Sequence, residues 1–169
     1  MPAVTHHGSA TDFFLKIDCI EGESKDAKHK GEIDIESWSW GETNKGTMAD
    51  GGGGGAGLVS MQDFSFTMRI NKATPKLILA CAEGEHIKKA TLIARKQGRD
   101  QQEYFTINFY DVLISSYQTK ADGTDHLIPH AEVALNFAKI DVEYREQMSN
   151  GQLGGPIKIT YDLKQRKRG

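Results

Sequence analysis

The chain lacks a surplus of either charge. Its 169 residues include 21 lysines and arginines against 23 aspartates and glutamates, a formal net charge of -2. A chain so close to neutral has no strong electrostatic field to attract nucleic acid or an anionic membrane surface, so neither is favoured as a partner. The basic residues at 164–168 could contact phosphates or an acidic protein. The near neutrality of the whole chain instead favours a solubilising basic tail at 165–169.

Long apolar runs are also missing. The longest, at 77–82, is far too short for a bilayer, which needs about 20 apolar residues, so we expect no membrane insertion. Residues 1–12 contain no basic stretch followed by an apolar one, so we predict a flexible arm and no classical signal peptide. Cysteine is scarce, and Cys19 and Cys81 lack a CxxC spacing. This favours two reduced, buried thiols over a disulfide.

The dominant pattern is an alternation of apolar and polar residues, which is typical of β-strands. In one segment the apolar residues are Ile33 and Ile35, then Trp38 and Trp40, and the polar ones are Glu32, Asp34, Glu36 and Ser39. The apolar face changes between Ile35 and Trp38, which predicts a β-bulge near Ser37. The same change recurs within 59–70 and 133–144. Long bulged strands suit a closed or strongly curved sheet. With further strands expected at 13–18, 91–96, 103–117 and 157–163, the pattern predicts a mainly β chain forming a small β-barrel, with a sandwich as the alternative.

One helix interrupts the strands. Thr74 is a suitable N-cap, Pro75 suits the first helical position, and Gly84 suits the position after the last turn. We therefore predict a short α-helix at 75–83 that caps the barrel. No internal linker divides the chain, so 13–164 is predicted to be a single domain.

A glycine-rich segment lies between two predicted strands. It consists of Gly51, Gly52, Gly53, Gly54, Gly55, Ala56 and Gly57. A nucleotide-binding glycine loop would lead into a helix, whereas this one leads into the strand at 58–61. The loop at 42–57 exceeds the two to five residues of an ordinary hairpin, and loops of this length are generally functional or disordered.

Catalytic and metal motifs are weak. Asp122, Asp125, His126 and His130 are close in sequence and could in principle bind zinc or manganese. Pro129 prevents a helical ligand spacing, and Asp122-Gly123 is a common turn dipeptide, so a solvated loop is favoured. No nucleophile motif is present. We expect no enzymatic activity and no cofactor.

Several ordered segments resemble the haemolysin-coregulated protein (Hcp) family of the type VI secretion system. They are GESKD at 22–26, IDIESWSWG at 33–41, the glycine run at 51–57, FSFT at 64–67, TPKL with AC at 74–81, and VALNFA at 133–138. They extend over nearly all of 13–163. The resemblance implies hexameric rings that stack into a hollow tube within a contractile sheath, tipped by a spike. It also implies that the lumen carries small effector proteins. Such a subunit would assemble in the cytoplasm and be secreted without a signal peptide.

The resemblance and the alternation together suggest surfaces for these roles. The glycine segment at 51–57 is the candidate for ring stacking, because glycine lets a backbone lie close to a neighbour. If Trp38, Trp40, Phe64 and Phe66 point into the core, the residues alternating with them face outwards. The candidate lumen face is therefore Ser39, Glu32, Asp34 and Glu36.

Three alternatives stay open at this stage. A related contractile device, such as a phage tail or an extracellular injection particle, would share the fold and the assembly. A secreted β-barrel hydrolase or toxin would use the cluster at 122–130. A monomeric small-ligand barrel would need a deep apolar pocket, which the many outward polar residues do not favour.

Overall fold

The computed structural model describes residues 11–46, 58–97, 101–124 and 128–169. Over these ranges the chain forms twelve strands and one helix, α1 (Thr74–Glu83). The strands are β1 (Thr11–Ile17), β2 (Ile33–Ile35), β3 (Ser37–Ser39), β4 (Glu42–Asn44), β5 (Val59–Met61), β6 (Phe64–Arg69), β7 (Ile87–Lys96), β8 (Glu103–Lys120), β9 (His130–Asn136), β10 (Lys139–Gln147), β11 (Leu153–Asp162) and β12 (Lys167–Arg168). The predicted mainly β class is confirmed.

Two antiparallel sheets share the long strand β8. The first has the order β12-β11-β10-β8-β7-β1-β2, and the second has the order β3-β6-β9-β8. The first half of β8 pairs with β7 and β10, and the second half pairs with β9, with a register shift between Ile114 and Ser116. At the opposite corner the chain passes from β2 to β3, and the Glu36 N–H donates to the Thr67 carbonyl at 3.0 Å. The sheets thus enclose a barrel-like core, although strand pairing among the described residues does not run unbroken around it.

The core lies between the two sheets. Phe64, Phe66 and Phe109 are at most 1% exposed, and Leu15 and Ile33 are fully buried. They occupy alternate positions on strands whose other side chains face outwards, which is the period-two pattern of the sequence. Each such side chain contributes roughly 1.5–3 kcal/mol on burial, so this cluster dominates the stability of the fold.

The changes of apolar face mark strand ends rather than the predicted bulges. At Glu36 the chain stops pairing with β1 and begins pairing with β6. Between β9 and β10 the chain likewise passes from the second sheet to the first, and between β5 and β6 it passes from the β4–β5 ribbon into the second sheet. A strand that leaves one sheet for the other must present a different set of side chains to the shared core. Register shifts occur instead at three other places. They lie between Ala94 and Arg95 of β7, between Ile114 and Ser116 of β8, and between Arg145 and Gln147 of β10.

The loop predicted at 42–57 is shorter than expected. Residues 42–44 form β4, which pairs with β5 in a two-stranded ribbon. Thr43 lies opposite Ser60, for example. The glycine segment at 51–57 lies outside the described residues. The structure establishes that the strands on either side of residues 45–58 are paired with each other.

The helix begins one residue earlier than predicted and has a different cap. Ala73 occupies the N-cap without a side-chain hydrogen bond, and Thr74 is the first helical residue. The Thr74 hydroxyl instead accepts a hydrogen bond from the Asn71 N–H at 3.1 Å. Gly84 ends the helix in the left-handed conformation, with φ 62° and ψ 40°, as its position predicted.

Strands extend into the described parts of the predicted arm and of the predicted tail. Strand β1 begins at Thr11, so the last two residues of the predicted arm belong to the sheet. Residues 167–168 fold back as β12 and pair with Tyr161 and Asp162 of β11. Cys19 is exposed rather than buried, and Cys81 is partly buried; both thiols are free. In the described part of the chain, no helix is long and apolar enough to cross a membrane.

Candidate assembly and lumen surfaces

The outward face of the second sheet carries short hydroxyl side chains on three strands. Ser37 lies opposite Thr67, and their hydroxyl oxygens are 2.6 Å apart. Ser39 lies opposite Ser65, and the same row continues through Ala134 to Ser116. We call Ser37, Ser39, Ser65, Thr67 and Ser116 the hydroxyl face. It is the reverse side of the sheet that buries Phe64 and Phe66.

Only one of the three predicted acidic residues adjoins the hydroxyl face. Glu36 lies at its border, 3.2 Å from Arg69 Nε and 2.9 Å from His130 Nδ1. Arg69 and His130 are directly opposite each other on β6 and β9. The carboxylate of Glu36 is thus paired, so it adds little free negative charge to this surface.

Glu32 and Asp34 lie beside the first sheet instead. Glu32 Oε2 is 2.7 Å from His29 Nδ1, and His29 Nε2 is 2.7 Å from Glu103 Oε1. Partial burial raises the pKa of Asp34, partly offset by a hydrogen bond from Ser24. These two acids precede the point where the chain changes sheets. Sequence alternation alone could not separate them from Ser39, because the change of sheet is a tertiary event.

The four predicted core aromatics have two different positions. Phe64 and Phe66 are fully buried, whereas Trp38 and Trp40 are half-buried at the rim. The Trp38 ring stacks on Phe64 and on Phe105, with centroids 5.9 and 6.1 Å away. The tryptophans therefore cover the edge of the core, and the outward exposure of Ser39 between them agrees with the alternation.

Two exposed apolar surfaces were not identified from the sequence. On β10 and β11, Tyr144, Ile157 and Ile159 are 44, 68 and 57% exposed. On α1, Ile78 and Leu79 are 46 and 54% exposed. The period-two and helical patterns of the sequence predicted the strands and the helix to which these residues belong. They could not show that no other part of the fold covers them.

The chain matches known proteins over most of its length. The family profile described as "Type VI secretion system effector, Hcp" matches residues 14–144. Protein hcp1 of Pseudomonas aeruginosa is 45% identical over 158 residues, which is 92% of this chain and 97% of that protein. The chain belongs to the Hcp family, the tube proteins of the type VI secretion system.

Solved structures of Hcp proteins share the fold. The crystal structure of Hcp1 from Salmonella typhimurium has a TM-score of 0.78 at 33% identity, covering 95% of this chain and 99% of that one. A structure described as a type six secretion system protein has a TM-score of 0.89 at 29% identity, covering 95% and 100%. A type VI secretion system effector from Yersinia pestis has a TM-score of 0.71 at 34% identity, covering 89% and 99%. Hcp proteins are secreted structural proteins, and the chain shares that class.

An ion network fixes an irregular loop to the Hcp barrel. Arg95, only 2% exposed, donates from Nη1 and Nη2 to the two carboxylate oxygens of Asp26 at 2.9 and 2.7 Å. Its Nη2 also donates to Asp12 at 3.2 Å, and the guanidinium carbon lies 4.8 Å from the Phe14 ring centre. Hydrogen bonds from Arg95 hold the pKa of Asp26 well below its usual range. The network joins β1 and β7 to the loop before β2.

The two candidate metal ligands that the structure describes, Asp122 and His130, each have other partners. Asp122 accepts hydrogen bonds from the N–H and hydroxyl of Thr124, at 3.0 and 2.8 Å, as in a solvated turn. His130 faces Glu36. Asp125 and His126 lie outside the described residues. Within the described ranges, no group of three or more histidine, cysteine or acidic residues could hold a metal ion.

Proposed function

We propose that this chain forms hexameric rings that stack into the hollow inner tube of the secretion system, with the hydroxyl face lining the lumen. In this proposal a contractile sheath expels the tube behind a spike, and effector proteins travel in the lumen. The subunits assemble in the cytoplasm and leave the cell with the tube. The chain acts mechanically and as a carrier, without catalysis.

The hydroxyl face is the observation that carries the lumen assignment. A serine or threonine hydroxyl both donates and accepts hydrogen bonds, so it adapts to cargo surfaces of different composition. Interface hot spots are typically tryptophan, tyrosine and arginine. The side chains of the hydroxyl face itself are all small, its Ser37–Thr67 row continues to the exposed Glu132 and Gln118, and the adjoining Arg69 is already paired with Glu36. Such a wall makes many weak contacts, which suits cargo that is held and then released.

Ring formation is supported by the unpaired edge and exposed apolar side chains of β11. Strand β12 pairs with β11 only at Tyr161 and Asp162. The stretch 153–159 therefore has no strand on its outer side among the described residues. Exposed sheet edges and apolar patches are typical of surfaces that another chain covers.

The glycine segment at 51–57 remains our candidate for contact between stacked rings. The ribbon of β4 and β5 supports this role because it pairs the strands that precede and follow residues 45–58. The glycines would lose conformational freedom on stacking, so we expect stacking to be weak until a spike or a sheath nucleates it.

The mass of the purified chain in solution tests the ring. Light scattering should give six times the chain mass, and negative-stain images of the same peak should show a central hole. A monomer over a wide concentration range would reject the ring.

Ser39→Gln tests the lumen assignment. The longer side chain would occupy space above the hydroxyl face, so we expect intact rings that retain less of a co-expressed effector during purification. Ser149→Gln is the matched control, since Ser149 is an exposed serine in the turn between β10 and β11. Loss of the rings in Ser39→Gln would place this residue at a subunit contact, and unchanged retention would remove it from the cargo surface.

A further inference from the structure

His29 is a buried histidine whose two ring nitrogens both face carboxylates. Its side chain is 4% exposed. Nδ1 lies 2.7 Å from Glu32 Oε2, and Nε2 lies 2.7 Å from Glu103 Oε1, which are the short distances of charge-assisted hydrogen bonds. Each of these bonds requires a proton between the two atoms. A neutral imidazole carries one N–H and can donate one of the two bonds, whereas the imidazolium ion carries two and donates both.

The second proton is better placed on the ring than on either carboxyl group. Carboxyl groups ordinarily release their protons about two pH units below imidazole. The side chain of Glu103 is also 39% exposed, so water solvates its charged form. The imidazole ring lies flat on Phe14, with ring centroids 4.3 Å apart and planes 13° apart. A cation over an aromatic face is favoured, so this contact stabilises the imidazolium form.

Among the described residues, no other cation forms an ion pair with these two carboxylates. The remaining charged groups near His29 are Asp12 and Lys16 of β1, Asp34 of β2, Arg95 of β7, and Asp26, Lys28 and Lys30 of its own loop. Arg95 is paired with Asp26 and Asp12. The three lysines are exposed. Both Glu32 and Glu103 therefore depend on His29 for a partner of opposite charge.

The two hydrogen bonds close the loop at 21–32 and fasten it to the first sheet. Glu32 ends this loop, whereas Glu103 is 74 residues from His29, at the start of β8. Inside the loop, the N–H groups of Gly22 and Gly31 donate to the carbonyls of Gly31 and Ser24 at 2.8 and 2.9 Å. These backbone bonds can persist only while the loop is closed, so they report on the contacts of His29.

We propose that His29, Glu32 and Glu103 form a proton-dependent latch that holds the loop at 21–32 against β8. While the imidazole is protonated, both hydrogen bonds form and the loop stays closed. When the ring loses a proton, one nitrogen presents a lone pair to a carboxylate oxygen 2.7 Å away. One bond is then replaced by repulsion, and the loop opens more often. Histidine ordinarily changes its charge between about pH 5 and pH 8, so the latch responds to pH in this range.

Hydrogen exchange of the full chain, followed by mass spectrometry of its peptides, tests the latch. From about pH 6 to about pH 9, the protection of the amides at 22–32 should fall about tenfold after correction for the intrinsic pH dependence of exchange, since a charge-assisted hydrogen bond is lost. The amides at 107–109 in the centre of β8 provide the internal reference and should keep their protection. A loop protection that does not change with pH would overturn the proposal. An equal fall in both segments would also overturn it, because it would report opening of the whole chain.

Glu103→Gln separates the latch from a general effect of pH. A glutamine side chain offers both an N–H donor and an oxygen acceptor, so it can bond to either form of the imidazole. We therefore expect that the loop protection of this variant no longer depends on pH. Glu143→Gln is the matched control, because Glu143 is a partly exposed glutamate on the neighbouring strand β10 and pairs with Arg145. It should keep the pH dependence of the wild type. A Glu103→Gln variant with the wild-type pH dependence would overturn the latch.

A measurement on the unsubstituted chain keeps the test independent of how the variants fold. In solid-state nitrogen NMR of the chain labelled with ¹⁵N-histidine, both ring nitrogens of His29 should have the chemical shift of a protonated nitrogen at about pH 6. One protonated and one bare nitrogen at that pH would refute the proposal. The latch lies within a single chain, so neither result depends on whether the chain forms the proposed ring.

Discussion

Replacing Asp26 with asparagine isolates the charge at the centre of the Arg95 network. The asparagine oxygen can still accept the hydrogen bond that Asp26 Oδ1 receives from the Lys28 N–H at 2.9 Å. What is lost is the charge opposite Arg95, whose side chain is 2% exposed. Arg95 would keep Asp12 as its remaining carboxylate, at the longer distance of 3.2 Å.

The expected cost follows from leaving a buried cation incompletely paired. Removing one partner of a buried ion pair typically costs about 3–5 kcal/mol. Because Asp12 remains, we expect the lower end, about 3 kcal/mol. For a chain of this length, each kcal/mol lowers the melting temperature by about 2–4 °C, so the expected decrease is about 6–12 °C.

The pH dependence provides a second check on the same variant. The pKa of Asp26 is far lower in the folded chain than its ordinary value of 3.8. A carboxyl with a depressed folded pKa contributes stability that is complete above its unfolded pKa and is lost as the pH falls through the folded pKa. The difference between wild type and Asp26→Asn should therefore be constant above about pH 5 and should shrink below about pH 4.

Urea denaturation at one fixed chain concentration measures the difference, because oligomerisation links stability to concentration. Glu21→Gln is the control, since it removes a carboxylate from an exposed pair with Lys72. Exposed pairs contribute little, so its unfolding midpoint should move much less. An Asp26→Asn variant as stable as the control, or a difference that grows as the pH falls to 3, would refute this account of the network.

Two further predictions concern single positions. Gly22→Ala should lower the melting temperature and disturb the loop at 21–32, because the alanine Cβ would lie 2.7 Å from the Ile33 Cα, closer than real Cβ contacts. Melting curves followed by circular dichroism measure the change. An unchanged midpoint would mean that the loop shifts freely to accommodate the Cβ. Burial and the 2.7 Å hydrogen bond to Asp141 raise the pKa of Tyr110 to about 12. The difference in tyrosinate absorbance between wild type and Tyr110→Phe should therefore appear near pH 12, and its appearance near pH 10 would contradict this environment.

Local patterns in the sequence predicted most of the elements. Alternation around Ile33, Ile35, Phe64 and Phe66 predicted strands whose apolar side chains are indeed buried. Gly84 ended the helix as expected, because the left-handed conformation there is a local property of the chain. The predicted position of the N-cap was wrong by one residue, because the Thr74 hydroxyl accepts a hydrogen bond from the Asn71 N–H outside the helix.

The candidate site was only partly predictable. Ser39 is on the polar face, but Glu32 and Asp34 belong to another surface because the chain changes sheets after Ile35. Arg95 gave no signal in the sequence, since its partners Asp26 and Asp12 are 69 and 83 residues away. Such distant pairings arise from the order of strands, which alternation does not specify.

The sequence by itself determined the family, the mainly β class and core residues such as Phe64 and Phe66, since these depend on ordered motifs and on side-chain periodicity. Tertiary structure decided which polar faces lie together and which apolar side chains stay uncovered. Ile157 and Ile107 both occupy apolar positions in β-strands, yet Ile107 is 1% exposed and Ile157 is 68% exposed. The difference arises because Ile107 lies within the barrel, whereas Ile157 lies on a strand that extends past the covering sheet.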